Sequence, residues 1–206
     1  MESIVTKAML FAKENHELIN HLRKYTNEPY INHLASVVRI VQSVEHTDEM
    51  LAAAWLHDTV EDTSVELFNI KEIFGCTISS YVEMLTDISK ESDGNRIIRK
   101  NIDLIHLSKS YPDVKTIKIA DIIDNAIDIF NNDKKFSRVY AVESARLLTV
   151  LTEGNSLLYE KAISIINEII MKLSRTHDNN WYEKIDDKYN ADLYVDTTNI
   201  VRVTNK

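Results

Sequence analysis

Glycine and proline are scarce in this chain, with 3 Gly and 2 Pro among 206 residues. A many-stranded β architecture needs both residue types in its frequent turns, so it has little room here. Apolar residues instead recur at helical spacing through residues 1–173. We therefore predict an all-α fold whose main domain, a helical bundle, covers residues 1–173. Residues 174–206 lose this periodicity, and we expect a C-terminal tail there, either irregular or with a short β-containing part.

Composition and charge narrow the classes of function. Hydrophobic residues make up 44% and charged residues 27%, which is typical of a soluble globular protein. The formal net charge of −8 argues against a protein that binds the phosphate backbone of nucleic acids. The chain has no run of eighteen apolar residues, no signal-peptide pattern and a single cysteine, Cys76. We expect a cytoplasmic protein with neither a membrane nor a nucleic acid as its partner.

One stretch, Ala52 to Thr63, concentrates ionisable side chains directly after an apolar run. His57 and Asp58 follow five apolar residues, and Glu61 and Asp62 come shortly after them. If the helix continues through them, His57 neighbours Glu61 and Asp58 neighbours Asp62 at i, i+4. Burial of unpaired charge is expensive, and a divalent cation would supply the missing positive charge. The alternative is a helix end with a polar cap; we favour the metal site.

Two other segments offer side chains of the same kind. His33 lies in the first turn of a helix predicted from about Tyr30 to Val44, beside its apolar stripe. Asp121 lies within Ile-Ala-Asp-Ile-Ile, where an unpaired carboxylate costs on the order of 3–5 kcal/mol. Asp121 therefore either completes a site with the histidines or pairs with a buried base such as Lys118. Two imidazoles and two carboxylates suit Mn²⁺, with Fe²⁺ and Zn²⁺ as alternatives.

These residues belong to motifs that resemble a known family. The motifs are Pro29-Tyr-Ile-Asn-His33, Leu56-His-Asp-Thr-Val-Glu-Asp-Thr63, Phe74-Gly75, and Lys118-Ile-Ala-Asp121 with Asn125. The order H…HD…D is the signature of the HD-domain metal-dependent phosphohydrolases. More narrowly, the motifs resemble the hydrolase domain of RelA/SpoT-type (p)ppGpp enzymes and the stand-alone small alarmone hydrolases. The resemblance covers about residues 1 to 150 and implies an HD-domain helical bundle.

The resemblance also implies a role for each matching residue. The Mn²⁺ ligands would be His33, His57, Asp58 and Asp121. The catalytic acidic pair, which orients the attacking water and manages its protons, would be Glu61 and Asp62. The substrate contacts would be Arg23 and Lys24 along the nucleotide site, Asn125 at the nucleoside part and Lys118 near phosphate. The implied reaction breaks the 3′ ester of (p)ppGpp and releases pyrophosphate with GDP or GTP.

One motif departs from the family pattern and keeps other functions open. The usual A-D-R-L-H-N reads here Ala120-Asp-Ile-Ile-Asp-Asn125, so that Ile122 and Asp124 replace an arginine and a histidine. The metal chemistry is unaffected, but the substrate pocket differs. One alternative is a nucleotide phosphohydrolase acting on the 5′-phosphates of (deoxy)nucleotides or on the 2′-phosphate of NADPH. Another is a non-catalytic nucleotide-binding module. Each reading has a small phosphorylated nucleotide as its partner, and each is compatible with a homo-oligomer.

Overall fold

The computed structural model describes residues 2–177 and 180–191, and in these ranges the regular structure is helical. In chain order the helices are α1 (Ile4–Leu18), α2 (Ile31–Gln42), α3 (Asp48–Leu56), α4 (Thr59–Asp62), α5 (Leu67–Phe74), α6 (Cys76–Leu85), α7 (Arg96–Ser108), α8 (Pro112–Asn132), α9 (Lys134–Leu148), α10 (Ser156–Ser174) and α11 (Trp181–Ala191). A short 3₁₀ helix, Glu91–Asp93, precedes α7. Within the described ranges, β pairing is limited to an isolated bridge between Leu22 and Pro29. The prediction of an all-α fold is confirmed.

Local signals in the sequence explain several of the helix boundaries. Thr47 caps α3, because its side-chain oxygen accepts a hydrogen bond from the Met50 backbone N–H at 3.2 Å. Pro112 occupies the first turn of α8, where a missing backbone N–H removes no helical hydrogen bond. Gly75 separates α5 from α6 with a φ of +86°, a conformation that side chains other than hydrogen disfavour. These boundaries set the lengths of the helices that carry the polar residues discussed below.

Helix α8 lies at the centre of the fold. It packs against α2, α9 and α10, while α3 packs against α1, α2 and α6. The buried isoleucines of α8 are Ile117, Ile119, Ile122, Ile123 and Ile129. The connection between α9 and α10 comes close to α8 at Gly154, where an added Cβ would lie 2.7 Å from Ile119 Cδ1. None of the helices described is both long and apolar enough to span a lipid bilayer.

The helix that precedes the ionisable cluster does not continue through it. Helix α3 ends at Leu56 and α4 begins at Thr59, so that His57 and Asp58 form the junction between them. The i, i+4 ridge considered from the sequence therefore does not run unbroken from His57. At this junction His57 faces Asp58, and its Nε2 atom also approaches Asp121 on α8.

The described part of the C-terminal tail is a docked helix rather than an irregular or β-containing segment. Helix α11 contacts α7 and α9, and its Trp181 and Tyr189 side chains are buried. The Trp181 indole N–H donates a hydrogen bond to Ser174 Oγ at 3.0 Å. Residues 178–179 and 192–206, which include the rest of the predicted tail, lie outside the described residues. The division of the chain at residue 173 stays a prediction.

Candidate metal and active site

Side chains from three separate segments meet at one buried point. His33 lies on α2, His57 and Asp58 form the α3–α4 junction, and Asp121 lies in the middle of α8. His33 Nε2 is 3.3 Å from Asp121 Oδ1 and 3.6 Å from Asp58 Oδ2. His57 Nε2 is 3.1 Å from Asp58 Oδ2 and 3.8 Å from Asp121 Oδ1. The structure thus brings together the four residues that the sequence predicts as metal ligands.

In each of the two imidazoles one nitrogen makes a hydrogen bond and, in the part of the chain that the structure describes, the other does not. His57 Nδ1 lies 2.9 Å from the Ala54 carbonyl oxygen, which can only accept, so Nδ1 carries the proton. His33 Nδ1 lies 2.7 Å from a carboxylate oxygen of Asp124. Both Nε2 atoms are buried and make no hydrogen bond within the described residues. Two Nε2 atoms beside two carboxylates fit a divalent cation.

The charges in the cluster support ionised carboxylates. Burial alone lowers the pKa of His57, but Asp58 and Asp121 outweigh it and raise this pKa to about 9. Burial also acts to raise the pKa of Asp121, yet Lys118 and the two histidines hold it well below its usual range. The Lys118 ammonium lies 2.9 Å from Asp121 Oδ2, while Oδ1 faces the histidines. Asp121 therefore pairs with Lys118 through one oxygen and faces the histidines through the other, while its role as a metal ligand stays a prediction.

Two residues outside the predicted set contact the ligands directly. The Tyr30 hydroxyl donates a hydrogen bond to Asp58 Oδ2 at 2.6 Å. Asp124 accepts from His33 and also lies 3.2 Å from the Arg23 guanidinium. Partners of this kind hold a metal ligand in one orientation and select its tautomer. The sequence signal that could have identified Asp124 is its position one helical turn after Asp121.

Glu61 and Asp62 lie on α4 and line a cavity of about 230 Å³ together with Asp58 and Asp121. Burial and the nearby carboxylates of Asp87 and Asp58 raise the pKa of Glu61 to about 7. Burial, Asp58 and Glu61 raise the pKa of Asp62 to about 7 as well. A carboxyl group with a pKa near neutrality can both accept and release a proton at physiological pH.

The four predicted substrate contacts occupy different surroundings. Lys118 and Asn125 line the same cavity as Glu61. Arg23 is buried, and its guanidinium contacts Asn125 Oδ1 at 3.1 Å and Asp128 at 2.9 Å. Lys24 is exposed and lies over two aromatic rings, outside the lining of this cavity. The roles of all four residues in substrate binding stay predictions.

Helices α7, α9 and α11 complete the cavity with residues that sequence reasoning missed. Arg96 donates two hydrogen bonds to Glu143, each of 2.8 Å, and Lys100 pairs with Asp87 at 2.5 Å. Arg146 also lines the cavity. The sequence pattern around Arg96 and Lys100 predicts only a solvated helix face, so nothing local marks them as cavity residues. Their position follows from the packing of α7 beside α9.

A second group of residues with metal-ligand chemistry consists of His16, His21 and Asp62. The Nδ1 atoms of the two histidines are 2.9 Å apart, and the ring centroids are 5.2 Å apart. The two Nδ1 atoms are therefore hydrogen-bonded to each other. Asp62 Oδ2 is 3.9 Å from the nearer histidine nitrogen. This arrangement is a hydrogen-bonded pair that stacks on Tyr30 rather than a second cation site.

Comparison with known proteins identifies relatives over most of the chain. Residues 8–147 match the family model described as HD domain. The chain is 32% identical over 133 residues to the guanosine-3′,5′-bis(diphosphate) 3′-pyrophosphohydrolase of Aquifex aeolicus, a match covering 64% of this chain and 19% of the relative. It is 32% identical over 129 residues to guanosine-3′,5′-bis(diphosphate) 3′-pyrophosphohydrolase MESH1 of Danio rerio, covering 62% of this chain and 69% of that protein.

Two further comparisons agree with these. The MESH1 protein of Drosophila melanogaster, which has the same enzyme name, is 38% identical over 104 residues, or 49% of this chain and 56% of the relative. A solved structure of a metazoan ortholog of SpoT that hydrolyzes ppGpp superposes with a TM-score of 0.73 at 27% identity. That superposition covers 82% of this chain and 96% of the other. The relatives therefore differ in how much of their own length this chain spans.

Proposed function

The chain belongs to the HD-domain family, and from that premise we propose that it is a (p)ppGpp 3′-pyrophosphohydrolase dependent on a divalent metal, most suitably Mn²⁺. The observation that carries the proposal is the pair of buried Nε2 atoms of His33 and His57, which make no hydrogen bond among the described residues and lie against the carboxylates of Asp58 and Asp121. The names of the relatives support the same substrate. Two carboxylates and two imidazoles without a thiolate favour Mn²⁺, with Fe²⁺ and Zn²⁺ as alternatives. We also propose a cytoplasmic location, where nucleotide substrates of this kind are found.

His33, His57, Asp58 and Asp121 would hold the cation. When bound, the cation supplies Lewis-acid charge and makes hydroxide available near neutral pH. Glu61 and Asp62 share the cavity with these ligands and are placed to orient the attacking water and to receive its proton. The pKa of each, raised to about 7, suits that transfer.

Lys118 and Asn125 are two further groups in this cavity that fit the reaction. The Lys118 ammonium, 2.9 Å from Asp121, brings positive charge to the cavity, where charge grows on the phosphoryl oxygens. The Asn125 amide is held at both ends, since its nitrogen donates to Asp121 Oδ1 at 2.6 Å and its oxygen accepts from Arg23. A side-chain amide has two N–H groups, so one is left for the nucleoside part of the substrate.

A substrate screen tests the proposal. The purified protein, loaded with Mn²⁺, is incubated with ppGpp, pppGpp, deoxynucleoside triphosphates, nucleoside monophosphates and NADPH, with Asp58→Ala as the inactive control. We expect pyrophosphate with GDP or GTP from the first two substrates. Orthophosphate from the others, with no pyrophosphate from ppGpp, would instead assign another nucleotide phosphohydrolase. Binding of ppGpp without turnover would assign a nucleotide-binding module.

A further inference from the structure

The described part of the C-terminal tail forms one wall of the active-site cavity. Tyr189 on α11 is only 3% exposed, and it lines the same cavity as Asp58, Glu61 and Asp121. The family match ends at residue 147, so α11 lies beyond the segment that carries the metal cluster. We propose that α11 limits the size of the nucleotide that the cavity admits, with Tyr189 as a specificity-determining residue. This inference rests on the function proposed above.

Tyr189 is held in place through both its side chain and its backbone. Its hydroxyl donates a hydrogen bond to Glu143, which also binds the Arg96 guanidinium through both carboxylate oxygens. Its backbone carbonyl oxygen accepts a hydrogen bond from Asn101 Nδ2 at 2.9 Å. The ring therefore cannot move away from the cavity without breaking its contact to α9, and the backbone that carries it is bound to α7. A wall fixed in this way excludes atoms rather than adapting to them.

Helix α11 also changes the charge on its side of the cavity. The guanidinium of Arg146, another cavity residue, contacts Asp186 at 2.9 Å and Asn190 at 2.7 Å, both on α11. The same guanidinium lies 5.3 Å from the centre of the Tyr189 ring. Asp186 thus neutralises an arginine that would otherwise attract phosphate. On this proposal, a nucleotide with one more phosphate on this side of the cavity meets the Tyr189 ring and an arginine that is already paired, so we expect ppGpp to be preferred over pppGpp.

The test compares these two substrates, which differ by a single phosphate. In Tyr189→Ala the wall is removed, and we expect the ratio of kcat/KM for pppGpp to that for ppGpp to rise about tenfold, mainly through KM. Tyr189→Phe keeps the ring and should keep the wild-type ratio. Asp186→Asn, which frees the charge of Arg146, should raise the ratio while leaving the wall in place. Lys188→Ala, at an exposed position of the same helix, is the matched control.

Several outcomes would overturn the proposal. One is an unchanged substrate ratio in a Tyr189→Ala variant that has wild-type circular dichroism and metal content. Another is an equal fall of kcat for both substrates, which indicates a purely structural role. If Tyr189→Ala does not fold, an unchanged ratio in Asp186→Asn decides against the proposal.

A wild-type protein that releases no pyrophosphate from ppGpp defeats the proposed function separately. The role of α11 is then decided by calorimetric Kd values of the Mn²⁺-loaded wild type and variants for GDP and GTP, which also differ by one phosphate. Tighter GTP binding relative to GDP in Tyr189→Ala or Asp186→Asn supports it. Equal changes in the Kd values for GDP and GTP reject the proposed role of α11. The absence of binding of either nucleotide to the wild type and the variants also rejects it.

Discussion

The Nδ1 atom of His33 lies 2.7 Å from Oδ2 of Asp124, one helical turn beyond Asp121. This contact decides which nitrogen of His33 faces the predicted metal site, because the Nδ1 N–H donates a hydrogen bond to the carboxylate and Nε2 is left pointing towards Asp58 and Asp121. Asp124 stands where the motif of the family that this chain resembles has a histidine. A negative charge therefore lies directly behind one of the proposed ligands.

Removal of Asp124 should weaken metal binding without removing a ligand. In Asp124→Ala the orientation of His33 is lost, and we expect Mn²⁺ affinity to fall about 10–100-fold. Isothermal titration calorimetry of the metal-free protein measures the effect. Asp128→Asn is the matched control. Asp128 lies on the same helix as Asp124 and also contacts Arg23, but it does not contact His33. Equal Kd values for Asp124→Ala and the wild type would contradict the assigned role.

Loss of the Tyr30 hydroxyl should have a related but separate effect. Tyr30→Phe removes the 2.6 Å hydrogen bond to Asp58, so we expect Mn²⁺ affinity to fall about tenfold while the fold is retained. Tyr81→Phe is a close control, since it removes a 2.7 Å Tyr–Asp hydrogen bond to Asp113 that does not involve a predicted ligand. Similar metal affinities in the two variants would show that the Tyr30 contact has no special role.

Neutralising the acidic pair should separate binding from catalysis. In the double variant Glu61→Gln and Asp62→Asn, both proton acceptors are removed while His33, His57, Asp58 and Asp121 remain. We expect full metal content, a KM close to wild type and a kcat reduced about 10²–10⁴-fold. Metal analysis and steady-state kinetics on ppGpp measure the two effects. An unchanged kcat would remove both residues from the mechanism.

The metal-free protein should lose stability as the pH rises above neutrality. The pKa of His57 is about 9 in the folded state and about 6.5 in the unfolded state, so the fold stabilises its charged form. This contribution is complete below pH 6.5 and is lost as the pH rises through 9. The pKa values of Glu61 and Asp62 are raised to about 7, so the fold stabilises their protonated forms. Their contribution to stability is therefore also lost as the pH rises, but over a lower pH range. We expect Tm of the metal-free protein to fall between pH 6.5 and 9.

Asp58→Asn provides the internal check on this profile. Asp58 contributes most to the rise in the pKa of His57, so its neutralisation should flatten the decline in Tm over the same window. Thermal unfolding in chelator at a series of pH values measures both curves. A wild-type Tm that stays constant or increases between pH 6.5 and 9 would be evidence against the charged state assigned to His57.

The close approach at Gly154 predicts a cost in stability for any side chain there. A Cβ would lie 2.7 Å from Ile119 Cδ1 and 3.1 Å from the backbone nitrogen of Thr116 on the central helix. Since backbone cannot easily move aside, Gly154→Ala should lower the free energy of unfolding by about 1–3 kcal/mol. Chemical denaturation checks this, with Thr152→Ala at an exposed position of the same connection as control. Equal stabilities would mean that α8 and this connection are not so closely packed.

The sequence by itself determined the helical class and the type of chemistry. Scarce glycine and proline with helical periodicity are local properties, so they predict helices without reference to partners. His57-Asp58 after an apolar run, and Asp121 among isoleucines, were informative for a similar reason. Each combines a segment that must be buried with a group that is expensive to bury alone, which already implies a partner.

Only the tertiary structure decided which groups meet. The contact of His33 with Asp124 joins residues 91 positions apart, and that of Tyr30 with Asp58 joins residues 28 apart. The docking of Tyr189 against Glu143, 46 positions away, carries the C-terminal helix to the cavity. Helical periodicity states which face of a helix is buried, but the choice of the facing side chain depends on how the helices pack. The orientation of the ligands and the shape of the substrate cavity therefore arise from packing.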